Sequence, residues 1–282
     1  MKRTLAIALL FLFCVSMGFS QDWAKANLEK SPRHQEWVTL KHDNRSLQAF
    51  IVYPQVKSKA PVVVVIHEIF GLTDWARSVA DQLAAQGYIA IAPDLLSGAG
   101  PKGGGTSEFA STQDAVKAIP GLPPDQITAD LNAAADYAKK LPSANGKLAV
   151  AGFCWGGGQS FRFATNRKDL SAAFVFYGPG PQDVTAINAP VYGFYAGEDA
   201  RIGATIPETQ AAMKAAGKKY DPVTYAGAGH GFMRAGEDPA TEAAIKDTGS
   251  DPDVKKKHDM AVANKKARAE GWERWLSLLK TM

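Results

Sequence analysis

The stretch Lys147–Gly158 most narrows what this chain can fold into. An apolar run, Leu148-Ala-Val-Ala151, reads as a buried strand and stops at Gly152-Phe-Cys-Trp-Gly156, after which small residues lead into a helix. A strand that turns abruptly into a helix around one reactive residue is the pattern of a nucleophile elbow. Glycine is needed at both ends of the pentapeptide, because a Cβ at either place would crowd the sharply turned backbone. The residue lifted out of the turn is Cys154.

The rest of the chain bounds what that elbow can serve. With 282 residues, 46% of them apolar, it has the material for one core at the large end for a single domain. Residues 1–20 read as a signal peptide: Lys2 and Arg3, an apolar segment from Leu5 to Val15, then the small residues Ser16, Gly18 and Ser20. That segment is shorter than the about 20 residues that span a bilayer, so an exported protein, periplasmic or secreted, with no membrane partner after cleavage is expected. Lys2 and Arg3 are two of the 32 basic residues; without them 30 bases face 28 acids. So even a balance points to no nucleic-acid partner, and Lys255-Lys-Lys257 reads as a solvated helix face. Cys14 falls in the signal segment, which leaves Cys154 without an intramolecular disulfide partner.

Taken in order, residues 21–35 look like an irregular surface arm, and 21–44 an arm plus a first strand. Glu36–Leu40 and Leu47–Tyr53 form a hairpin around His42-Asp-Asn-Arg45. Pro61-Val-Val-Val-Val-Ile-His67 has the β-branched continuity of a central parallel strand. Thr73 caps a helix that Gly87 ends, and Tyr88–Pro93 is the next strand. The glycine- and proline-rich segment 97–123 is a long loop with room for a short helix, either a lid or a passive insertion. A helix from Pro124 to Leu141, the elbow, strands at 172–177, 191–196 and 220–225, a helix from Thr205 to Ala216 and an amphipathic last helix bearing Trp272 and Trp275 complete the chain. Alternating strands and helices give an α/β class: a doubly wound, mostly parallel sheet with an antiparallel start and helices on both faces. Residues 45–282 make up that domain, and a monomer is expected.

In such sheets sites gather at the carboxyl ends of the strands. Four strand ends carry chemistry: His67-Glu68, Cys154, Asp199 and His230. The chain order nucleophile, acid, histidine is that of α/β hydrolases. A thiolate attacks an acyl carbon, His230 takes the thiol proton and returns one to the leaving group, and Asp199 orients the imidazole. The N–H groups of Trp155 and Ile69 are expected to form the oxyanion hole. Glu198 competes with Asp199 for the acid role, and a lone cysteine is elsewhere most often a buried small hydrophobe. His67 reads as structural, and no metal site is expected, since the spacing of His67, Glu68, Asp199 and His230 matches no helix-borne ligand pattern. Glu68 beside a cysteine raises the thiol pKa by like-charge repulsion. That suits a gate, a neutral resting thiol freed when substrate moves Glu68 or Cys154.

His67-Glu-Ile-Phe-Gly-Leu72, Ala92-Pro-Asp-Leu95, Gly152-Phe-Cys-Trp-Gly-Gly157, Gly197-Glu-Asp199 and Gly229-His-Gly-Phe232 together resemble the dienelactone hydrolase family over residues 45–280. The resemblance implies an α/β-hydrolase fold and a cofactor-free cysteine–histidine–aspartate triad of Cys154, His230 and Asp199. It also implies a resting cysteine bonded by Glu68. The family prototype converts dienelactone to maleylacetate and holds the substrate carboxylate with two arginines. Arg234, four residues after His230, stands where one of them would be; the stretch after Pro93-Asp-Leu95 has no arginine for the other, only Lys102. The expected substrate is therefore an ester or lactone, anionic ones included. The alternative is a non-hydrolytic binding or thiol redox-sensing protein on the same fold.

Overall fold

The computed structural model describes residues 22–235 and 238–282. The expected signal peptide lies outside them. Among the described residues eight strands form one sheet in the order β1-β2-β4-β3-β5-β6-β7-β8, where β1 is Gln35–His42, β2 Arg45–Val52, β3 Ala60–Ile66, β4 Ile89–Pro93, β5 Ala144–Phe153, β6 Ala172–Phe176, β7 Val191–Ala196 and β8 Tyr220–Tyr225. β1, β2 and β4 pair antiparallel; every pairing from β4 through β3 to β8 is parallel. The carboxyl ends of β3, β5, β7 and β8 therefore open on one side, which is where the four reactive segments begin.

Alternation along each strand builds two cores. On β3, Val63 and Val65 face one layer with Trp75, Val79 and Leu83 of α2 (Asp74–Ala85), while Val62, Val64 and Ile66 face the other with Leu131 and Ala134 of the helix Pro124–Lys140. Both faces are covered, which is why β3 tolerates no polar residue. α2 starts where its N-cap Thr73 accepts the Ala76 N–H at 3.5 Å, and it ends at Gly87, whose φ of +94° a glycine accommodates freely. The last helix, Pro252–Leu279, closes the first core. Its Trp275 is fully buried against the rings of Phe153, Phe174 and Phe176, the closest at 4.9 Å between centroids.

Two segments differ from the sequence reading. The expected N-terminal arm contains a helix, α1 (Asp22–Lys30), whose Ala24 and Leu28 are buried beside α2. The long loop is held down rather than loose. Asp94 accepts hydrogen bonds from the Thr106 N–H at 2.7 Å and hydroxyl at 2.7 Å, and Glu108 accepts from the N–H groups of Lys102 at 3.0 Å and Gly104 at 2.9 Å. Within it lies a short helix, α3 (Thr112–Ala118), and Leu96, Ala115 and Ile119 pack with Ile69 and Trp155. The loop is thus part of the wall beside the elbow.

Candidate active site

β5 ends at Phe153, and the helix Trp155–Asn166 begins one residue after Cys154. Cys154 has φ +57° and ψ −119°, a conformation that a non-glycine residue adopts only under local strain. The strain is held by contacts from all sides. The Cys154 N–H donates to Phe176 O at 3.0 Å. A Cβ on Gly152 would lie 1.9 Å from Gly156 O, and one on Gly156 would lie 2.3 Å from His67 O. The small residues flanking Cys154 let two backbones touch and push its side chain outward.

His67 is locked as a structural group. The Leu95 N–H donates to its Nε2 at 3.2 Å, so its Nδ1 carries the proton and donates to Glu68 O at 2.7 Å. Burial lowers its pKa, which keeps it neutral. The ring thereby ties the β3 end to the β4 end.

Asp199 and His230 meet at the ends of β7 and β8. His230 Nδ1 hydrogen-bonds Asp199 Oδ2, and the second Asp199 oxygen accepts the Ile202 N–H at 3.3 Å. Of the two neighbouring acids it is Asp199 that reaches the histidine; Glu198 is exposed. Gly231, at φ +81°, turns the chain away behind His230, and the Gly229 N–H donates to Asn264 Oδ1 at 2.7 Å.

The electrostatics keep the sulfur neutral at rest. Burial first, and then the Glu68 carboxylate, push the Cys154 thiol up to about 11, against the opposing pull of the Trp155 N–H, Arg234 and Arg201. Glu68 is itself 3% exposed. Burial raises its pKa, while Arg234 and His230 favour its charged form. Its Oε2 lies 3.6 Å from Arg234 Nε. Among the described residues no hydrogen bond joins the Cys154 sulfur to Glu68, so the bond implied by the resemblance is replaced here by a Glu68–Arg234 ion pair. None joins it to His230 either, an arrangement common in unliganded sites. The Trp155 N–H stands at the first position of its helix, where no intrahelical partner exists, and the Ile69 N–H makes no hydrogen bond among the described residues.

Comparison with known proteins decides the kinship. The model of the dienelactone hydrolase family matches residues 47–282. The chain belongs to the dienelactone hydrolase family. A "Putative carboxymethylenebutenolidase" of Salmonella typhi is 34% identical over 216 residues, which are 71% of this chain and 78% of that protein. Among solved structures, a "Putative Dienelactone Hydrolase" from Klebsiella pneumoniae superposes with a TM-score of 0.70 at 24% identity, over 89% of this chain and 99% of that one. A dienelactone hydrolase from Anabaena variabilis does so with a TM-score of 0.56 at 18% identity, over 70% and 88%. At such identities the structures speak for the fold alone. As a dienelactone hydrolase family member the protein is a hydrolase of carboxylic ester or lactone bonds.

Three residues around this family site escaped the sequence reading. Arg201, exposed on the short helix Ala200–Gly203 directly after Asp199, has its charge felt by Cys154. Tyr177, at the end of β6, sets its ring 5.0 Å from that of His230. Asn264 anchors the histidine loop from the last helix. Only Arg201 carried a local signal, a cation two residues from Asp199. Lys102, weighed as a second substrate cation, is exposed on the glycine-rich loop, with its own N–H bonded to Glu108.

Proposed function

We propose that this protein is an exported hydrolase that cleaves an ester or lactone through Cys154 as nucleophile, with His230 as its base and Asp199 as the group that orients the imidazole. One observation carries the reading: a cysteine at positive φ between two glycines that tolerate no Cβ, on the same sheet end as a histidine hydrogen-bonded to an aspartate. Asp199 accepts from Nδ1, which leaves Nε2 as the basic nitrogen for the thiol proton. The thiolate adds to the acyl carbon while the Trp155 and Ile69 N–H groups receive the developing oxyanion. His230 then returns the proton to the leaving alkoxide, and water cleaves the thioester by the same route in reverse. No cofactor enters these steps, and a monomer suffices for them.

The ion pair of Glu68 with Arg234 supports an anionic substrate and a gate. A substrate carboxylate competes with Glu68 for Arg234, and a displaced Glu68 stops repelling the thiolate. Arg201 offers a second cation beside the sulfur. The neutral resting thiol weighs against the redox-sensing alternative, because sensor cysteines are low-pKa thiolates. Export rests on the composition of residues 1–20.

A panel of neutral and carboxylate-bearing esters and lactones, with and without iodoacetamide, tests the reading; turnover unaffected by complete alkylation would overturn it. Within that panel Arg234→Ala is expected to raise KM for the anionic members by about tenfold to a hundredfold, the weight of one charge-assisted contact, and Arg201→Ala by less. Neutral esters should change little in KM. Equal effects on both classes would refute the anchor role.

A further inference from the structure

The two N–H groups read as oxyanion donors come from different strand ends, Ile69 after β3 and Trp155 after β5. Their side chains nevertheless pack against one small apolar cluster, made by Leu96, Ala115 and Ile119. Leu96 directly precedes the long segment 97–123, and the other two residues lie within it. The segment thus supplies the floor under both donors.

A polar latch ties the same segment to the loop that carries Ile69. The Thr106 hydroxyl accepts the Leu72 N–H at 2.9 Å and donates to Asp94 Oδ1 at 2.7 Å, while the Thr106 N–H donates to Asp94 Oδ2 at 2.7 Å. Leu72 and Asp94 are both buried. A hydroxyl whose proton and lone pair are both engaged by buried partners is a fixed strut. The backbone makes room for it at two glycines. A Cβ on Gly71 would lie 2.3 Å from Thr106 Oγ1, and one on Gly105 would lie 2.2 Å from Asp94 Oδ2. The Gly71 N–H donates to Glu68 O at 3.2 Å, so residues 68–71 form one tight turn with Ile69 inside it. His67 fixes the start of that turn through Leu95 and Glu68 O, and Thr106 fixes its exit at Leu72.

We propose that Thr106 is a positioning residue for the oxyanion hole, and that the segment 97–123 is a brace that sets the Ile69 N–H against that of Trp155. The inference rests on the reading of those two N–H groups as the oxyanion donors. Donors held in place before the reaction stabilise charge as it develops without reorganising. Freeing the turn weakens an interaction that exists mainly in the transition state, so the loss falls on kcat and leaves KM. The sulfur is outside this effect. Alkylation by iodoacetamide forms a sulfur–carbon bond at a saturated carbon and releases iodide, and no oxyanion arises.

The test compares initial rates on a neutral aryl ester with the rate of Cys154 alkylation by iodoacetamide, followed by intact mass. Thr106→Val keeps the shape of the side chain and strands the Leu72 N–H and one Asp94 oxygen. Its kcat should fall about tenfold to a hundredfold with KM held within about twofold, and its alkylation rate should match wild type. Thr106→Ser restores the hydroxyl and should recover most of the rate. Ile119→Ala, which thins the apolar floor, should show the same split, and it carries the test if Thr106→Val fails to fold. Glu108→Ala releases the loop tip at Lys102 and Gly104 and should keep the wild-type kcat. Wild-type kcat in folded Thr106→Val overturns the proposal. So does an equal slowing of alkylation, which would trace the loss to the thiol, or an equal loss in Glu108→Ala, which would trace it to general loosening. A failure of the hydrolase reading is a separate result, since it shows in the wild type on the ester panel, whereas the brace is judged on the ratio of variant to wild type.

Discussion

Cys154→Ala should abolish hydrolysis of a small activated ester, with kcat falling on the order of 10⁴-fold or more. The loss follows from the site's economy of parts. On the mechanism proposed above, removing the sulfur leaves His230 with no thiol to deprotonate, and binding plus the oxyanion donors would retain only a small residue of the acceleration. Cys154→Ser should keep part of the rate, since a hydroxyl occupies the same strained turn and a serine can use the same base. Asp199→Asn should approach the alanine variant, because an amide no longer fixes the imidazole tautomer that exposes a basic Nε2. Initial rates on one neutral aryl ester compare all three. Wild-type turnover by Cys154→Ala would show that the chemistry lies elsewhere.

Gly152→Ala should cost the fold more than about 3 kcal/mol, read as a drop in the urea midpoint or a failure to accumulate folded protein. Its Cβ would stand 1.9 Å from the carbonyl oxygen of Gly156. That neighbour is backbone, carried by a helix whose next glycines press on Phe176 O and Gly178, so it has nowhere to retreat. Gly121→Ala is the control, because a Cβ there meets nothing within 4 Å and no positive φ is required. It should change stability by no more than about 0.5 kcal/mol. Equal midpoints for the two variants would mean that the elbow relaxes more easily than its packing implies.

What could be read from the sequence divides along physical lines. The parallel strands were legible because each is a β-branched or apolar run bounded by turn residues, and the elbow because two glycines and a cysteine sit where a strand gives way to a helix. His230 and Asp199 followed from their places after strands. α1 escaped because only Ala24 and Leu28 of its residues are buried, so its apolar stripe is too thin to register as a period. The Glu68–Arg234 pair escaped because it joins the ends of distant strands, and its effect on the sulfur depends on burial that no local pattern reveals. Tyr177 escaped because a strand-end tyrosine reads as core, and only its φ and its unpartnered hydroxyl set it apart.

Trp275 has a bearing on how the molecule is assembled. It fills the space under Phe153 and Phe176, the two residues next to Cys154 and Tyr177, yet it comes from the last helix. Contacts this far apart along the chain form late, after the loop-closure entropy between them has been met. Until that helix docks, the underside of β5 is an uncovered row of aromatic rings, the kind of surface on which partly folded chains stick to one another. Refolding should thus be slow and concentration-sensitive, and the active centre should mature only in its final phase, together with the burial of Trp275.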